Sequence, residues 1–153
     1  MEEEAQKKIN KIYTEMEAEL KKLQKNVTKE RNTNALTAIL RARQEIELVK
    51  VPLFLEMIEE GLENGMSVAV FCNFTETIHA LADRLNTQCI VNGEAKYENV
   101  RQKNIDDFQN DKERVILINI AAGGAGLSLH DVTGKYPRLA LISPSYSAVQ
   151  MRQ

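Results

Sequence analysis

The feature that most constrains the fold is a change in the spacing of apolar residues near Met66. Before it, apolar residues recur every three or four positions, as on one face of a helix. After it, short apolar runs rich in β-branched residues alternate with segments of helical spacing. Such runs are typical of strands in a parallel sheet, and helices between them are typical of βαβ crossovers. The sequence therefore predicts an α/β fold with helices on both faces of a parallel sheet, whose strands span 67–72, 89–91, 115–118 and 139–142.

The first 50 residues predict a helical extension. One apolar stripe recurs at helical spacing, and its members are Ile9, Ile12, Met16, Leu20 and Leu23. We expect this stripe to be buried against the same chain or a second copy, because a whole apolar stripe is seldom left in water. A polar segment, 26–34, predicts a loop with a helix N-cap near Asn34. A second stripe follows, formed by Leu36, Ile39, Ala42, Ile46 and Val49.

A proline and two glycines then mark the bounds of the next helix. Pro52 predicts the start of a third helix, because proline is tolerated in a first turn, and Gly61 or Gly65 predicts its end. We place the boundary here, with a helical extension at 1–50 and an α/β domain at 51–153.

Composition bounds the class of protein. The chain has 153 residues, 43% hydrophobic and 27% charged, as in a soluble globular domain. No apolar run approaches the roughly 20 residues that span a bilayer. The acidic N-terminus is unlike a signal peptide and the two cysteines stand alone, so an intracellular setting is expected. Net charge is −2 without a dense basic patch, so any nucleic-acid contact has to come from a few placed groups and backbone amides.

Ligands of open parallel sheets bind at the carboxyl ends of the strands. Four segments reach that edge, namely 72–75, 92–94, 119–126 and 143–145. Three glycines within the third, Gly123, Gly124 and Gly126, suit a backbone that approaches a phosphate, or a turn that needs positive φ. No Walker A lysine follows them and no Asp-Glu pair follows a strand, so the chain carries no apparatus for hydrolysis. His79, in mid-helix, is expected at the surface or its boundary.

Five segments in order resemble the motifs of one family. Residues 68–74 resemble motif IV, Asn92-Gly93 the step after the next strand, and Arg101, Ile105 and Phe108 its Arg-x-x-x-Ile-x-x-Phe helix. Residues 119–129 resemble motif V, and 143–153 resemble the approach to motif VI. Together they resemble the C-terminal RecA-like lobe of superfamily 2 helicases and translocases, most closely the Swi/Snf-type and viral or phage branches.

The resemblance implies a three-layer RecA-like domain that is the second motor lobe of an ATP-dependent DNA helicase or translocase. It implies nucleic-acid contacts at four residues, Phe71, Asn73, Thr75 and Asn119. It implies contacts with the nucleotide and the other lobe at Gly124, Gly126 and Ser128, and neither a catalytic nor a metal-binding residue. The residues before 46 correspond to a helical extension or an insertion between the lobes.

ATP and Mg²⁺ are implied as cofactors of the full-length protein and not of this chain alone, because the first-lobe motifs and the motif VI arginines are not in it. The implied partners are DNA more than RNA, the N-terminal lobe, and a second copy through the N-terminal helix. The implied setting is the cytoplasm or nucleoid, or the host cell for a viral protein.

Two other function classes fit the same residues. One is a non-catalytic RecA-like module that binds a protein through its acidic N-terminal helices. The other is an α/β enzyme that uses the glycine-rich loop as its own phosphate cradle. A Walker A motif upstream and the motif VI arginines downstream distinguish the motor from both.

Overall fold

The computed structural model describes residues 2–23, 29–121 and 134–143. They form the helices α1 Glu2–Leu23, α2 Lys29–Val49, α3 Val51–Glu63, α4 Thr75–Leu85, α5 Ala95–Glu98 and α6 Arg101–Gln109, and the strands β1 Ser67–Cys72, β2 Ile90–Val91, β3 Val115–Asn119 and β4 Arg138–Ile142. The chain divides into two compact units, residues 1–53 and 54–153. The boundary after residue 50 stays a prediction.

The first unit pairs α1 with α2. Ile9 is buried, and Ile12, Met16 and Leu20 are half-buried, so no described side chain of the predicted stripe is left exposed. Leu23 belongs to the same stripe, but its side chain lies outside the described residues. Ile12 and Met16 line a cavity of about 190 Å³ together with Ala38 and Ala42. The stripe therefore lies against small residues of α2.

The expected start of α2 is wrong. The helix begins at Lys29, so the predicted loop does not extend to 34. Low helix propensity of a few polar residues is a weak signal, and adding residues to an existing helix is easier than starting one. Leu36 is also 61% exposed, since the buried face runs through Ala38 and Ala42 instead.

Helix α3 begins where its proline predicts, with Pro52 in the first turn. It ends in a Schellman motif, in which the Met66 amide donates to the Gly61 carbonyl at 2.9 Å and the Gly65 amide to the Leu62 carbonyl at 3.1 Å. Gly65 takes the left-handed conformation that this motif needs, with φ +77°. Of the two predicted helix-ending glycines, Gly65 therefore has that role.

The second unit is built on a four-stranded sheet in the order β2-β3-β1-β4, in which every described pair is parallel. The predicted strands and their parallel pairing are confirmed, although β2 begins at Ile90 and not at residue 89. β1 and β3 lie at the centre and are almost wholly buried. This burial is what the β-branched runs predict.

Helices cover both faces of the sheet, as predicted. On one face Ala69, Ile116 and Val91 pack with Ile105 and Phe108 of α6. The opposite face carries Val68 and Leu139, and both contact the position where a Gly61 side chain would lie in α3. No described helix is both long enough and apolar enough to span a membrane.

Candidate nucleic-acid interface

The parallel register places polar residues at one edge of the sheet. Cys72, the last residue of β1, pairs with Asn119, the last residue of β3. Phe71 pairs with Ile142, the last residue of β4. The turns that follow these strands therefore meet at the carboxyl edge, where open parallel sheets bind their ligands.

Thr75 and Asn119 meet across this edge. The Asn119 amide nitrogen donates to the Thr75 hydroxyl oxygen at 3.4 Å, and the Asn119 amide oxygen accepts a hydrogen bond from the Ala121 amide at 2.9 Å. Asn119 is only 8% exposed, whereas Thr75 is half-buried. The asparagine therefore fixes the start of the segment after β3 and ties it to the first residue of α4.

A second link joins the ends of β1 and β4. The Ser143 amide donates to the Phe71 carbonyl at 2.8 Å, which extends the β1–β4 ladder by one bond. The Asn73 side chain donates to the Ser143 hydroxyl at the longer distance of 3.5 Å. Asn73 is half-buried, so the turn after β1 is held in place while part of it faces solvent.

Phe71 lies apart from the other three predicted contacts. Its ring is half-buried and packs on the core cluster of the α6 face. Asn73, Thr75 and Asn119 instead follow or end their strands. The structure thus brings three of the four residues to one edge and places the Phe71 ring on a face of the sheet.

Helix α4 begins at this edge. Its N-cap residue is Phe74, in an extended conformation, and the apolar side chain of Phe74 makes no capping hydrogen bond. Helix N-termini carry a partial positive charge and unpaired amide groups, which favour anions such as phosphate. Thr75 is the first residue of that turn, so its hydroxyl lies beside the helix end.

Two arginines at the opposite, amino edge of the sheet make hydrogen bonds within the fold. Arg114 donates to the carbonyls of Leu62 and Met66 at 3.1 and 2.8 Å. Arg138 bonds the Asp111 carboxylate at 3.2 Å, and both of these side chains are largely buried. These two guanidinium groups hold turns together at the amino edge, so they do not form a basic surface there.

The sequence did not reveal one polar cluster at the carboxyl edge. His79 Nε2 lies 2.6 Å from Glu94 Oε1, in the turn after β2, and both side chains are about 40% exposed. Asn92 bonds the same carboxylate. Histidine and glutamate here are 15 positions apart on different elements, and no local pattern links them. The surface or boundary position expected for His79 is confirmed.

The described part of the chain offers no metal centre. None of its His, Cys, Asp and Glu side chains form a group of three that could hold a metal ion. Burial, with smaller contributions from Glu113 and Asp107, raises the pKa of the Cys89 thiol to about 12. That thiol is therefore protonated at neutral pH and is not a nucleophile.

The segment predicted to meet the nucleotide lies outside the described residues. Gly124, Gly126 and Ser128 fall within residues 122–133, for which no geometry is given. Only the start of that loop is described, where the Ala121 amide is held by Asn119.

Comparison with known proteins identifies the family. The sequence profile named "Helicase conserved C-terminal domain" matches residues 49–134. A protein of Acanthamoeba polyphaga mimivirus, "Putative ATP-dependent RNA helicase L364", is 37% identical over 146 residues, which cover 95% of this chain and 27% of that protein. The chain thus spans about a quarter of this relative's length.

A solved structure supports the fold. The Sulfolobus solfataricus SWI2/SNF2 ATPase C-terminal domain superposes with a TM-score of 0.62 at 20% identity, covering 87% of this chain and 74% of that one. The parallel sheet, its covering helices and this match confirm the predicted RecA-like architecture. The chain belongs to the helicase conserved C-terminal domain family, as the C-terminal lobe of a superfamily 2 helicase.

Proposed function

We propose that this chain is the second motor lobe of an ATP-dependent DNA helicase or translocase. Its carboxyl edge binds the backbone of the nucleic acid through Asn73, Thr75 and the amides that begin α4. The loop after β3 forms one side of the ATP cleft between the lobes, with Gly124, Gly126 and Ser128 facing the nucleotide and the other lobe. ATP and Mg²⁺ are cofactors of the whole protein.

The observation that carries this proposal is the meeting of Thr75 and Asn119 beside the start of α4. A hydroxyl, an amide and a helix N-terminus at one edge suit a phosphate without a dense cluster of lysines. This matches the net charge of −2, which provides no general attraction for a polyanion.

The hydrogen bonds of Asn119 also suggest how ATP binding is coupled to movement of the nucleic acid. Asn119 bonds Ala121, at the start of the loop that we propose contacts the nucleotide. It also bonds Thr75, at the start of the helix that we propose contacts the nucleic acid. A shift of that loop on nucleotide binding therefore moves Thr75 and the α4 amides through one side chain. Asn119 is a positioning residue in this scheme, and Phe71 anchors the end of β1 by packing on the core cluster of the α6 face.

Two observations bear on the choice between DNA and RNA. The motifs resemble those of the Swi/Snf branch, which is why we propose DNA. The mimivirus relative carries RNA helicase in its name. Contacts to a backbone alone discriminate little between the two, because discrimination needs the base edges or the 2′-hydroxyl.

The first test compares variants of Thr75 in the full-length protein. Thr75→Val removes the hydroxyl at nearly constant shape, and we expect the affinity for single-stranded DNA to fall about two- to tenfold, the effect of one hydrogen bond. Thr75→Ser restores the hydroxyl and should restore most of the affinity. Fluorescence anisotropy with a labelled oligonucleotide at fixed salt measures both.

Lys112→Ala is the matched control, since it removes an exposed positive charge from the turn before β3, at the amino edge. Its affinity should equal that of the wild type. Equal losses in Lys112→Ala and Thr75→Val would contradict a site at the carboxyl edge. The same assay with RNA of identical sequence tests whether the protein prefers DNA or RNA. Tighter binding of RNA would mean that the motor acts on RNA and not on DNA.

A further inference from the structure

Helices α1 and α2 form a groove with an apolar floor, which we call the α1–α2 groove. Two pairs of side chains make the floor, and each pair is spaced by one helical turn: Ile12 and Met16 on α1, Ala38 and Ala42 on α2. The alanines are buried and end at Cβ, so the floor is deep on the α2 side. The cavity measures about 190 Å³, and a cavity of about 150 Å³ holds a benzene molecule. The groove therefore has room for one large apolar side chain.

Charged side chains form the rim of the α1–α2 groove. Glu15 and Glu19 lie on the α1 side, and Arg41 and Glu45 lie on the α2 side. All four are exposed. Three negative charges and one positive charge give the rim a net charge of −2. Lys11 lies 4.0 Å from Glu15, but both side chains are mostly exposed and such pairs are weak. The rim therefore complements a basic ligand.

The spacing of the lining residues fits a third helix. On each wall the apolar residues lie at positions i and i+4, and the charged residues lie at i+3 and i+7. Side chains at i and i+4 of a docked helix are also about 5–6 Å apart, so two of them match the one-turn step of the floor. An amphipathic helix that lays its apolar stripe into a groove is a recurring mode of peptide recognition.

A second copy of this chain does not combine the two features that the groove needs. Its exposed leucines are Leu36 and Leu40, one turn apart on α2. Thr37 and Gln44, beside them on that helix, carry no charge, and Arg43 is half-buried. A second copy therefore supplies apolar side chains without exposed basic residues along both flanks. The groove fits a helix of another protein better.

We propose that the α1–α2 groove is a docking site for a basic amphipathic helix of a partner protein. A leucine-sized side chain of that helix enters the cavity, and the next apolar side chain lies one turn further along the floor. Lysine or arginine residues beside the apolar stripe face Glu15, Glu19 and Glu45. The site uses only residues of the first compact unit, so it does not rest on nucleic-acid binding by the second unit.

The test measures binding of synthetic helical peptides to the 153-residue chain by fluorescence anisotropy at low ionic strength. The first peptide, about 18 residues or five turns long, has a leucine stripe with lysines on both flanks. The second has glutamates in place of the lysines, and the third has alanines in place of the leucines. The first should bind about tenfold more tightly than either control, because exposed charge pairs and a buried leucine both contribute. Equal affinities would overturn the proposal.

Reversing charges on the rim tests the site without altering the floor. Glu19→Lys combined with Glu45→Lys should weaken binding of the first peptide about five- to thirtyfold, because two attractions become repulsions. The matched control is Glu17→Lys combined with Glu56→Lys, which changes the net charge equally at exposed positions that do not line the groove. Circular dichroism checks that both variants keep their helix content. Equal losses would mean that the peptide responds only to net charge, which contradicts a site on this rim.

NMR of alanine methyl groups locates the bound peptide. The Ala38 and Ala42 resonances should shift when the first peptide binds, whereas that of Ala69, buried in the sheet, should stay constant. Binding that leaves the Ala38 and Ala42 methyls unchanged places the peptide elsewhere and refutes the proposal. Sedimentation velocity without peptide tests for a second copy. Self-association that shifts the same methyls would make a second copy the occupant and overturn the assignment to a partner helix.

Discussion

At the scale of single residues, two glycines of α3 serve different physical purposes. Gly65 adopts φ +77° and ends the helix, a conformation that side chains with a Cβ rarely take. Gly61 lies inside the helix, where glycine costs about 1 kcal/mol relative to alanine. A Cβ at Gly61 would lie 2.9 Å from Leu139 Cδ2 and 3.0 Å from Val68 Cγ2. Gly61 is therefore required for the close packing of α3 on the sheet.

Gly61→Ala should lower the free energy of unfolding by about 1 kcal/mol. Overpacking costs about 1–3 kcal/mol, and the gain in helix propensity offsets about 1 kcal/mol of it. Urea denaturation of the 153-residue chain measures the change. In a Leu139→Val background, which lacks the Cδ2 atom, the same substitution should cost less. An unchanged cost in that background would show that Leu139 is not the obstacle.

At the scale of elements, β2 depends on a helix more than on its ladder. It has two residues and pairs with β3 on one side. The buried Asn104 of α6 donates to the Gln88 carbonyl at 3.3 Å and to the Ile90 carbonyl at 3.0 Å. These carbonyls flank Cys89, whose own carbonyl accepts from Leu117 of β3 at 3.0 Å. Asn104 therefore covers the side of β2 that pairs with no other strand among the described residues, and exposed strand edges are otherwise sites of aggregation.

Asn104→Ala should lower the free energy of unfolding by about 1–3 kcal/mol, because the Ile90 carbonyl, in a buried hydrogen bond, and the Gln88 carbonyl, in a part-buried one, both lose their donor. Gln102→Ala is the matched control, since it removes an exposed amide from the same helix and should change stability by about 0.5 kcal/mol or less. Urea denaturation measures both, and faster exchange of the Val91 amide in Asn104→Ala would locate the effect. Equal stabilities of the two variants would mean that β2 does not need this support.

At the scale of the whole molecule, we expect the chain to lack the means to hydrolyse ATP by itself. The described residues contain no cluster of three His, Cys, Asp or Glu side chains that could hold a metal ion, and the sequence has no Gly-x-x-x-x-Gly-Lys motif. The mimivirus relative is about three and a half times as long. ATP hydrolysis is therefore expected to require residues of another lobe.

The purified chain should release no phosphate from ATP and Mg²⁺ above a heat-denatured sample, with or without single-stranded DNA. A coupled phosphate-release assay measures this, and the full-length protein is the positive control. Release by the isolated chain that DNA stimulates would show that residues 122–133 or others of this chain catalyse hydrolysis, and the reading as an enzyme with its own phosphate cradle would replace the motor.

The sequence alone determined the parts of this protein that depend on local periodicity and local stereochemistry. Four apolar runs predicted the strands, because a strand buried on both faces must be apolar at successive positions. Pro52 predicted the start of α3 for an equally local reason, since a first turn needs no amide donor. The order of motifs indicated the family, and the parallel sheet then implied that Asn73, Thr75 and Asn119 lie at one edge.

Only the tertiary structure decided which side chains touch. The bond between Thr75 and Asn119 spans 44 positions and that between His79 and Glu94 spans 15, and no helical or strand period links such residues. The buried face of α2 and the choice between Gly61 and Gly65 also depended on packing, because a side chain's burial is set by what the rest of the chain places against it. Spacing along a sequence shows which residues lie on the same face of one helix or strand. The distance between residues of different elements depends on how those elements pack.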